Sequence, residues 1–291
     1  MTEHVPVLLK ESVEGLNLKK NSTVMDATAD GGGHSEAILK KLGGRGKLVA
    51  LDWDRKMAER LHEKFRTDAR VKIFHSNFRD MGKLAKSLKI RPDAIFFDLG
   101  LSSLQLVSSG RGFSFQTDEP LTMTYDEARR PNAQEFIKNA SVRELERVLR
   151  DYGEESWARQ ISRRVVEARK DHPIRTTGEL AEIIVRAVGR RGRIHPATKT
   201  FQALRIYLND ELENLTRGLE AAWKILKPRG RIAVISFHSL EDRIIKNFFR
   251  GKAQEGQGRL IIKKPLMPGR DEILSNPRAR SAKLRIIEKI K

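Results

Sequence analysis

The stretch Asp26-Ala-Thr-Ala-Asp-Gly-Gly-Gly-His-Ser35 constrains this chain more than any other. It follows the apolar run Thr23-Val24-Met25 and leads into a helical pattern that starts near Ser35. Strand, glycine turn and helix, in that order, open a doubly wound α/β nucleotide-binding domain. Glycines have no Cβ, so they let the backbone come close to a ligand. The N–H groups of the helix start favour a polar or anionic group there. The spacing is not G-x-G-x-x-G, and a purely structural tight turn is the competing reading.

The pattern around the turn supports a sheet. Strands are expected at 23–28, 48–52, 71–74 and 93–98, with helices at 35–42, 55–66 and 81–88 between them and a short helix at 6–16 covering the sheet edge. Alternation at this spacing implies right-handed crossovers and a parallel sheet. From about 112 to 199 there is no convincing strand, and Ser141 with Glu144 and Thr176 with Glu179 have capping-box spacing. This predicts an all-helical domain, 112–199, inserted into an α/β domain formed by 1–111 and 200–291. One long helix, in which Phe201, Leu204, Leu208, Leu212, Leu215, Leu219, Ala222 and Leu226 recur, returns the chain to a fifth strand at 232–237. Ser239 to Asp242 is expected to cap the next helix, and 260–263 with 284–287 to form an antiparallel pair at the sheet edge.

Composition narrows the function. Lys and Arg outnumber Asp and Glu by 57 to 38, a formal charge of +19. Such an excess points to a polyanionic partner, most commonly nucleic acid, with a charge-rich surface of a heat-tolerant protein as the alternative. Absence of cysteine excludes disulfides, thiolate zinc sites and thiol nucleophiles. The apolar run at 5–9 is too short for a signal peptide or a membrane span, so a cytoplasmic protein is expected. There is no His-x-x-x-His pair, no Walker loop and no Gly-x-Ser-x-Gly, so no metal site, P-loop or serine hydrolase is expected.

In folds of this class ligands sit beyond the carboxyl ends of the strands. Asp52, twenty positions after Gly32, stands where an acid commonly accepts ribose hydroxyls, with helix capping as the competing role. Asp98 ends an apolar strand in Asp98-Leu-Gly-Leu-Ser-Ser103, where a carboxylate must be satisfied by a ligand or a nearby N–H. His34 is either a hydrogen-bonding residue of the helix start or a ligand contact. His238 reads as a structural histidine. Phe113, Phe115 and Tyr125 either stack on a base or pack in a core. Basic clusters at 186–193, at Lys263-Lys264 and from Arg278 through Arg285 suggest a phosphate-binding surface.

Several motifs then occur in order: Gly-Gly-His-Ser (32–35), Asp-Leu-Gly-Leu-Ser-Ser (98–103), Arg-Gly-Phe-Ser-Phe (111–115), Tyr-Gly-Glu-Glu (152–155), Ala-Thr-Lys-Thr-Phe-Gln-Ala-Leu-Arg-Ile (197–206), Ser-Phe-His-Ser-Leu-Glu-Asp-Arg (236–243) and Asn-Pro-Arg-Ala-Arg-Ser (276–281). Together they closely resemble the RsmH (MraW) family of bacterial 16S rRNA cytosine-N4 methyltransferases. The resemblance implies a class I SAM-dependent methyltransferase, with a Rossmann-like sheet and an inserted helical domain that recognises RNA. Its cofactor would be S-adenosylmethionine (SAM) and its substrate a decoding-centre cytosine in the 16S rRNA of the 30S subunit. By match to the family motifs, the SAM contacts would be Gly32, Gly33, His34, Asp52, Phe78, Asp98 and Gln105. The chain departs from the family at Asp30, where the family has glycine, and at Thr122, Thr124 and Tyr125, where it has Asp, Arg and Met.

The chemistry agrees with the resemblance. Methylation of cytosine at C5 generally needs a cysteine that adds to C6, whereas an exocyclic amine attacks the sulfonium methyl directly. Asp98 is the candidate catalytic group, as a hydrogen-bond acceptor for N4–H or an orienter of the donor. The target base must be single-stranded or flipped. The alternatives are an RNA-binding assembly factor with a degenerate site, which the departures favour, and a nicotinamide-dependent oxidoreductase, which the missing G-x-G-x-x-G disfavours.

Overall fold

The computed structural model describes residues 6–101, 110–126, 129–189 and 195–291. Two compact units divide the chain: Met1–Ser102 with Leu212–Lys291, and Ser103–Glu211.

The first unit is built on a seven-stranded sheet of order β3-β2-β1-β4-β5-β7-β6. Its strands are β1 (Thr23–Asp26), β2 (Lys47–Asp52), β3 (Val71–His75), β4 (Ala94–Asp98), β5 (Arg231–Ser236), β6 (Gly258–Leu260) and β7 (Lys283–Lys289). The first five are parallel, and β7 runs antiparallel between β5 and β6. Helices α1 (Leu9–Gly15), α2 (Gly33–Lys41), α3 (Arg55–Phe65) and α4 (Met81–Ser87) belong to the first half of the unit. Strand order reverses between β1 and β4, the switch point at which open α/β sheets bind ligands.

Alternation along each strand makes two cores. Val24, Leu48, Ala50, Phe96, Ala233 and Ile235 bury one face with α1, α2 and α3. Met25, Val49, Leu51, Ile95, Phe97, Ile232 and Val234 bury the other, under Met81, Leu219, Trp223, Ile245 and Phe249. Successive side chains of a strand point to opposite faces, so strands covered on both sides read as continuous apolar runs.

The second unit contains α5 (Ala133–Asn139), α6 (Val142–Gly153), α7 (Ala158–Asp171), α8 (Thr177–Val188) and α9 (Ala197–Leu208). Asn132 and Thr176 head complete capping boxes, and Ser141 accepts from the Glu144 N–H. This unit extends beyond 199 because α9 packs on α6.

The long helix expected through 201–226 is two helices, α9 and α10 (Glu211–Ile225). Asp210 between them takes a left-handed φ of 49°. The Asn209 amide donates to the Arg205 and Met123 carbonyls and accepts from the Tyr125 N–H, competing with helical bonding. A second correction concerns α11 (Ser239–Gln254): its N-cap is His238, and Ser239 is already helical. No helix among the described residues is long and apolar enough to cross a membrane.

Candidate active site

Three aspartates end three adjacent strands: Asp52 on β2, Asp26 on β1 and Asp98 on β4. All three lie in the first unit. Asp26 is fully buried, with Ser35 Oγ donating to Oδ2 at 2.6 Å and the Thr28 N–H reaching Oδ1 at 3.3 Å. Burial pushes its carboxyl up to about 6, against the opposing effect of those hydrogen bonds. Thr28 in turn accepts from the Asp98 N–H through Oγ1 at 2.6 Å, tying the β1 turn to the end of β4.

Asp52 accepts from the Asp30 N–H and the Asp54 N–H, each at 2.8 Å and each on a different carboxyl oxygen. Each oxygen keeps a lone pair for a hydroxyl donor. Asp54, and not Asp52, caps α3, by accepting from the Lys56 N–H. Burial, with Asp30 and Asp54 beside it, pushes the Asp52 carboxyl up to about 8.

That shift has a consequence for stability. A free Asp carboxyl titrates near ~3.9, so the native state binds more protons between that value and about 8. Stability therefore falls as pH rises through this window. Asp52→Asn is expected to flatten the fall in melting temperature of the cofactor-free protein from about pH 5 to about pH 8. Parallel slopes for parent and variant would count against the assignment.

The glycine turn is closely packed. A Cβ on Gly32, whose φ is +79°, would come within 3.0 Å of Phe65 and Leu61 side-chain carbons, and one on Gly33 would lie 2.3 Å from Pro6 Cγ. At both positions the missing side chain makes room for neighbouring protein. Asp30 holds a φ of 44°. Asp is among the few non-glycine residues that tolerate this region. Its N–H is committed to Asp52.

His34 is buried, with its ring 4.5 Å from that of Phe96. Its Nδ1 lies 3.3 Å from Asp98 Oδ2 and its Nε2 lies 3.1 Å from the Val7 carbonyl oxygen. Its two ring nitrogens thus both face protein atoms. Phe78 packs edge-on against Phe97 at 5.6 Å and closes over Gly218, where a Cβ would lie 2.6 Å from the Phe78 ring. Gln105, and the Ser102-Ser103 pair beside it, lie outside the described residues.

Asp98 is the most exceptional group of the set. Its Oδ1 is buried and, among the described residues, has no hydrogen-bond partner. Burial first, then Asp30, Asp26 and Glu241, hold its carboxyl well above the usual carboxylate range. Asn77, just past β3, was not singled out from sequence. Its Oδ1 caps the following 3₁₀ turn by accepting from the Arg79 N–H, and its Nδ2 is buried with no partner among the described residues. An asparagine immediately after a strand at the ligand-bearing edge was the available signal.

His238 accepts from the Glu241 N–H through Nδ1, and its Nε2 lies 3.2 Å from Glu241 Oε1. In the second unit Phe113 packs on Tyr125 at 5.2 Å, and Phe115 stacks on His195 at 4.6 Å. All three candidate stacking rings therefore have ring partners within the protein. Arg285 binds Asp242 in a paired contact of 2.7 and 3.1 Å, which makes it structural.

A family model for the MraW methylase family matches residues 1–290. The chain belongs to the MraW methylase family. It is 45% identical, over 99% of its own length and 95% of the relative's, to the ribosomal RNA small subunit methyltransferase H of Methylobacillus flagellatus. It is 43% identical, over the full length of both chains, to the protein of that name from Persephonella marina. The crystal structure of a putative rRNA-methylase from Clostridium thermocellum, at 15% identity, matches with a TM-score of 0.51 over 99% of this chain and 100% of that one. That likeness concerns the fold alone, which is that of a class I, Rossmann-like methyltransferase. Membership makes this chain a methyltransferase with SAM as its methyl donor.

The residues present fit that donor. SAM carries ribose hydroxyls, and Asp52 keeps a lone pair on each carboxyl oxygen at the end of β2. Two buried polar atoms, Asp98 Oδ1 and Asn77 Nδ2, offer an acceptor and a donor.

Proposed function

We propose that this chain methylates the exocyclic N4 amine of a cytosine in the decoding centre of 16S rRNA, acting on the 30S subunit in the cytoplasm. The relatives named ribosomal RNA small subunit methyltransferase H supply the substrate class. The observation that carries the chemistry is the unpartnered Asp98 Oδ1 at the switch point of the sheet. An aromatic amine is a weak nucleophile because its lone pair is delocalised into the ring. An acceptor that takes N4–H density while the amine is held in line supplies much of the rate. Absence of cysteine leaves no route to C5 through covalent addition.

In this reading Asp52 accepts the ribose hydroxyls of SAM, and Asp98 faces the reacting amine. Gly32, Gly33 and Phe78 shape the pocket through packing, and Gln105 is a further contact by family match. The inserted Ser103–Glu211 unit recognises RNA. The test is incubation with SAM and unmodified small subunits, followed by mass-spectrometric mapping of the methylated nucleotide. Methylation at a carbon, or none at all, would reject the reading.

The basic surface carries its own prediction. Arg278 and Arg280 are exposed on the turn Pro277–Ser281 and flank the buried Ala279. Arg278→Glu and Arg280→Glu are each expected to raise the KM for RNA and leave SAM affinity unchanged. The slope of log K against log salt should fall by roughly one for each phosphate that is no longer neutralised. A parental slope in both variants would assign these arginines to an idle surface.

A further inference from the structure

The environment of His34 determines where its hydrogen sits. Nε2 lies 3.1 Å from the Val7 carbonyl oxygen. A carbonyl only accepts, so Nε2 donates and carries a hydrogen. Nδ1 lies 3.3 Å from Asp98 Oδ2. With His34 neutral and Asp98 ionised, two lone pairs would face each other across that buried gap. A proton between them removes the conflict. We propose that His34 is the positioning partner of Asp98: the two residues hold one proton between Nδ1 and Oδ2, which reserves Asp98 Oδ1 as acceptor for the substrate amine. This deepens the methyl-transfer reading above and rests on it.

The surroundings explain why such a partner is needed. Asp26 from β1, Asp30 from the glycine turn and Glu241 from α11 all act on Asp98, and each disfavours its ionised form. An ionised Asp98 without a cation would be the least stable form of the site. With the shared proton on Nδ1, the imidazolium offsets the neighbouring acids, and the pair titrates as a unit. The ring is also held in place. Phe96 packs on it, Pro6 packs on the adjacent Gly33, and the Leu8 N–H donates to Glu272 Oε1 at 2.7 Å, which anchors the segment that presents the Val7 carbonyl.

The N4–C bond forms while the C–S bond breaks, and the electron pair of that bond stays on sulfur. The proton lost by N4 passes to Asp98 Oδ1, and the proton already present stays on His34 Nδ1. The pair then holds two protons, one of which returns to solvent.

Two measurements on the full chain test the proposal. The first, nitrogen–proton correlation spectroscopy of the imidazoles, needs neither cofactor nor RNA. His34 Nε2 should keep its hydrogen, and Nδ1 should give the signal of a nitrogen that shares or carries a proton at neutral pH. In Asp98→Asn, Nδ1 should change to a bare acceptor nitrogen. Identical Nδ1 signals in the two proteins overturn the proposal.

The second is the pH profile of single-turnover methyl transfer in His34→Asn, whose amide carries no titrating proton. Asp98 must then ionise without a cation, so the acidic limb should move up by at least about one pH unit, a tenfold loss at a pH on the limb. The rate should recover towards the parental value above it. A loss of equal size at every pH, together with a lowered melting temperature, marks a merely structural histidine and also overturns the proposal. If the parent methylates no RNA, the spectra still decide the shared proton, and only the substrate reading falls.

Discussion

Asp98→Asn is expected to lower single-turnover methyl transfer to 30S particles by ~10²-fold or more, the scale of one positioned acid–base group. Its melting temperature should stay level or rise. The two effects diverge because the substitution keeps the shape of the side chain and removes a buried acid. An asparagine amide donates to His34 Nδ1 across the present 3.3 Å contact. It also relieves the crowding with Asp26, Asp30 and Glu241. What it lacks is a basic oxygen for the amine proton. A fast, well-folded Asn variant at saturating SAM would remove Asp98 from the chemistry. Loss of activity together with loss of fold would leave Asp98 with a structural role only.

Asp52→Ala is expected to weaken SAM binding by about 1–3 kcal/mol, the range for leaving buried hydrogen-bonding groups without a partner. In dissociation constant this is roughly 5- to 150-fold. The carboxyl oxygens of Asp52 organise the site as well as exposing lone pairs, since they accept from Asp30 and Asp54. The Ala variant therefore loses the proposed ribose acceptor and frees two backbone donors, and its melting temperature should fall too. Asp52→Asn separates the contributions: one oxygen still accepts from a backbone N–H, while the other position no longer accepts from a hydroxyl. Calorimetry on both variants reads the difference. A parental dissociation constant in Asp52→Ala would take the ribose away from this residue.

The sheet was legible because its central strands are covered on both faces. Runs such as Ala94–Asp98 leave no amphipathic ambiguity, and the glycine turn marks where the first strand ends. The break at Asn209 and Asp210 was hidden, since Leu208 and Leu212 stay in helical phase across it. Only the Asn-Asp pair itself, a turn-forming combination, pointed to it. The site divides in the same way. Asp52 and Asp98 follow from strand ends, which a sequence displays. The partners of His34 are Val7 and Asp98, far apart in sequence and brought together only by the fold. The packing duty of Gly32 and Gly33 depends on Phe65, Leu61 and Pro6, which no local pattern connects to them.

The position of β7 has a consequence for how the protein is made. It lies inside the sheet, between β5 and β6, and its partner β5 pairs with β4 across the whole inserted unit of the chain. A ribosome adds roughly 5–20 residues per second, so on the order of ten seconds or more separates the synthesis of β4 from that of β7. Through that interval Phe96 and Phe97 belong to a half-sheet with an open edge, the arrangement most prone to wrong pairing. The Ser103–Glu211 unit, whose buried residues include Phe136, Leu145, Leu149, Ile161 and Leu204, is complete in sequence earlier. The helical unit is therefore complete in sequence before the last strands of the sheet that carries Asp98 have been made.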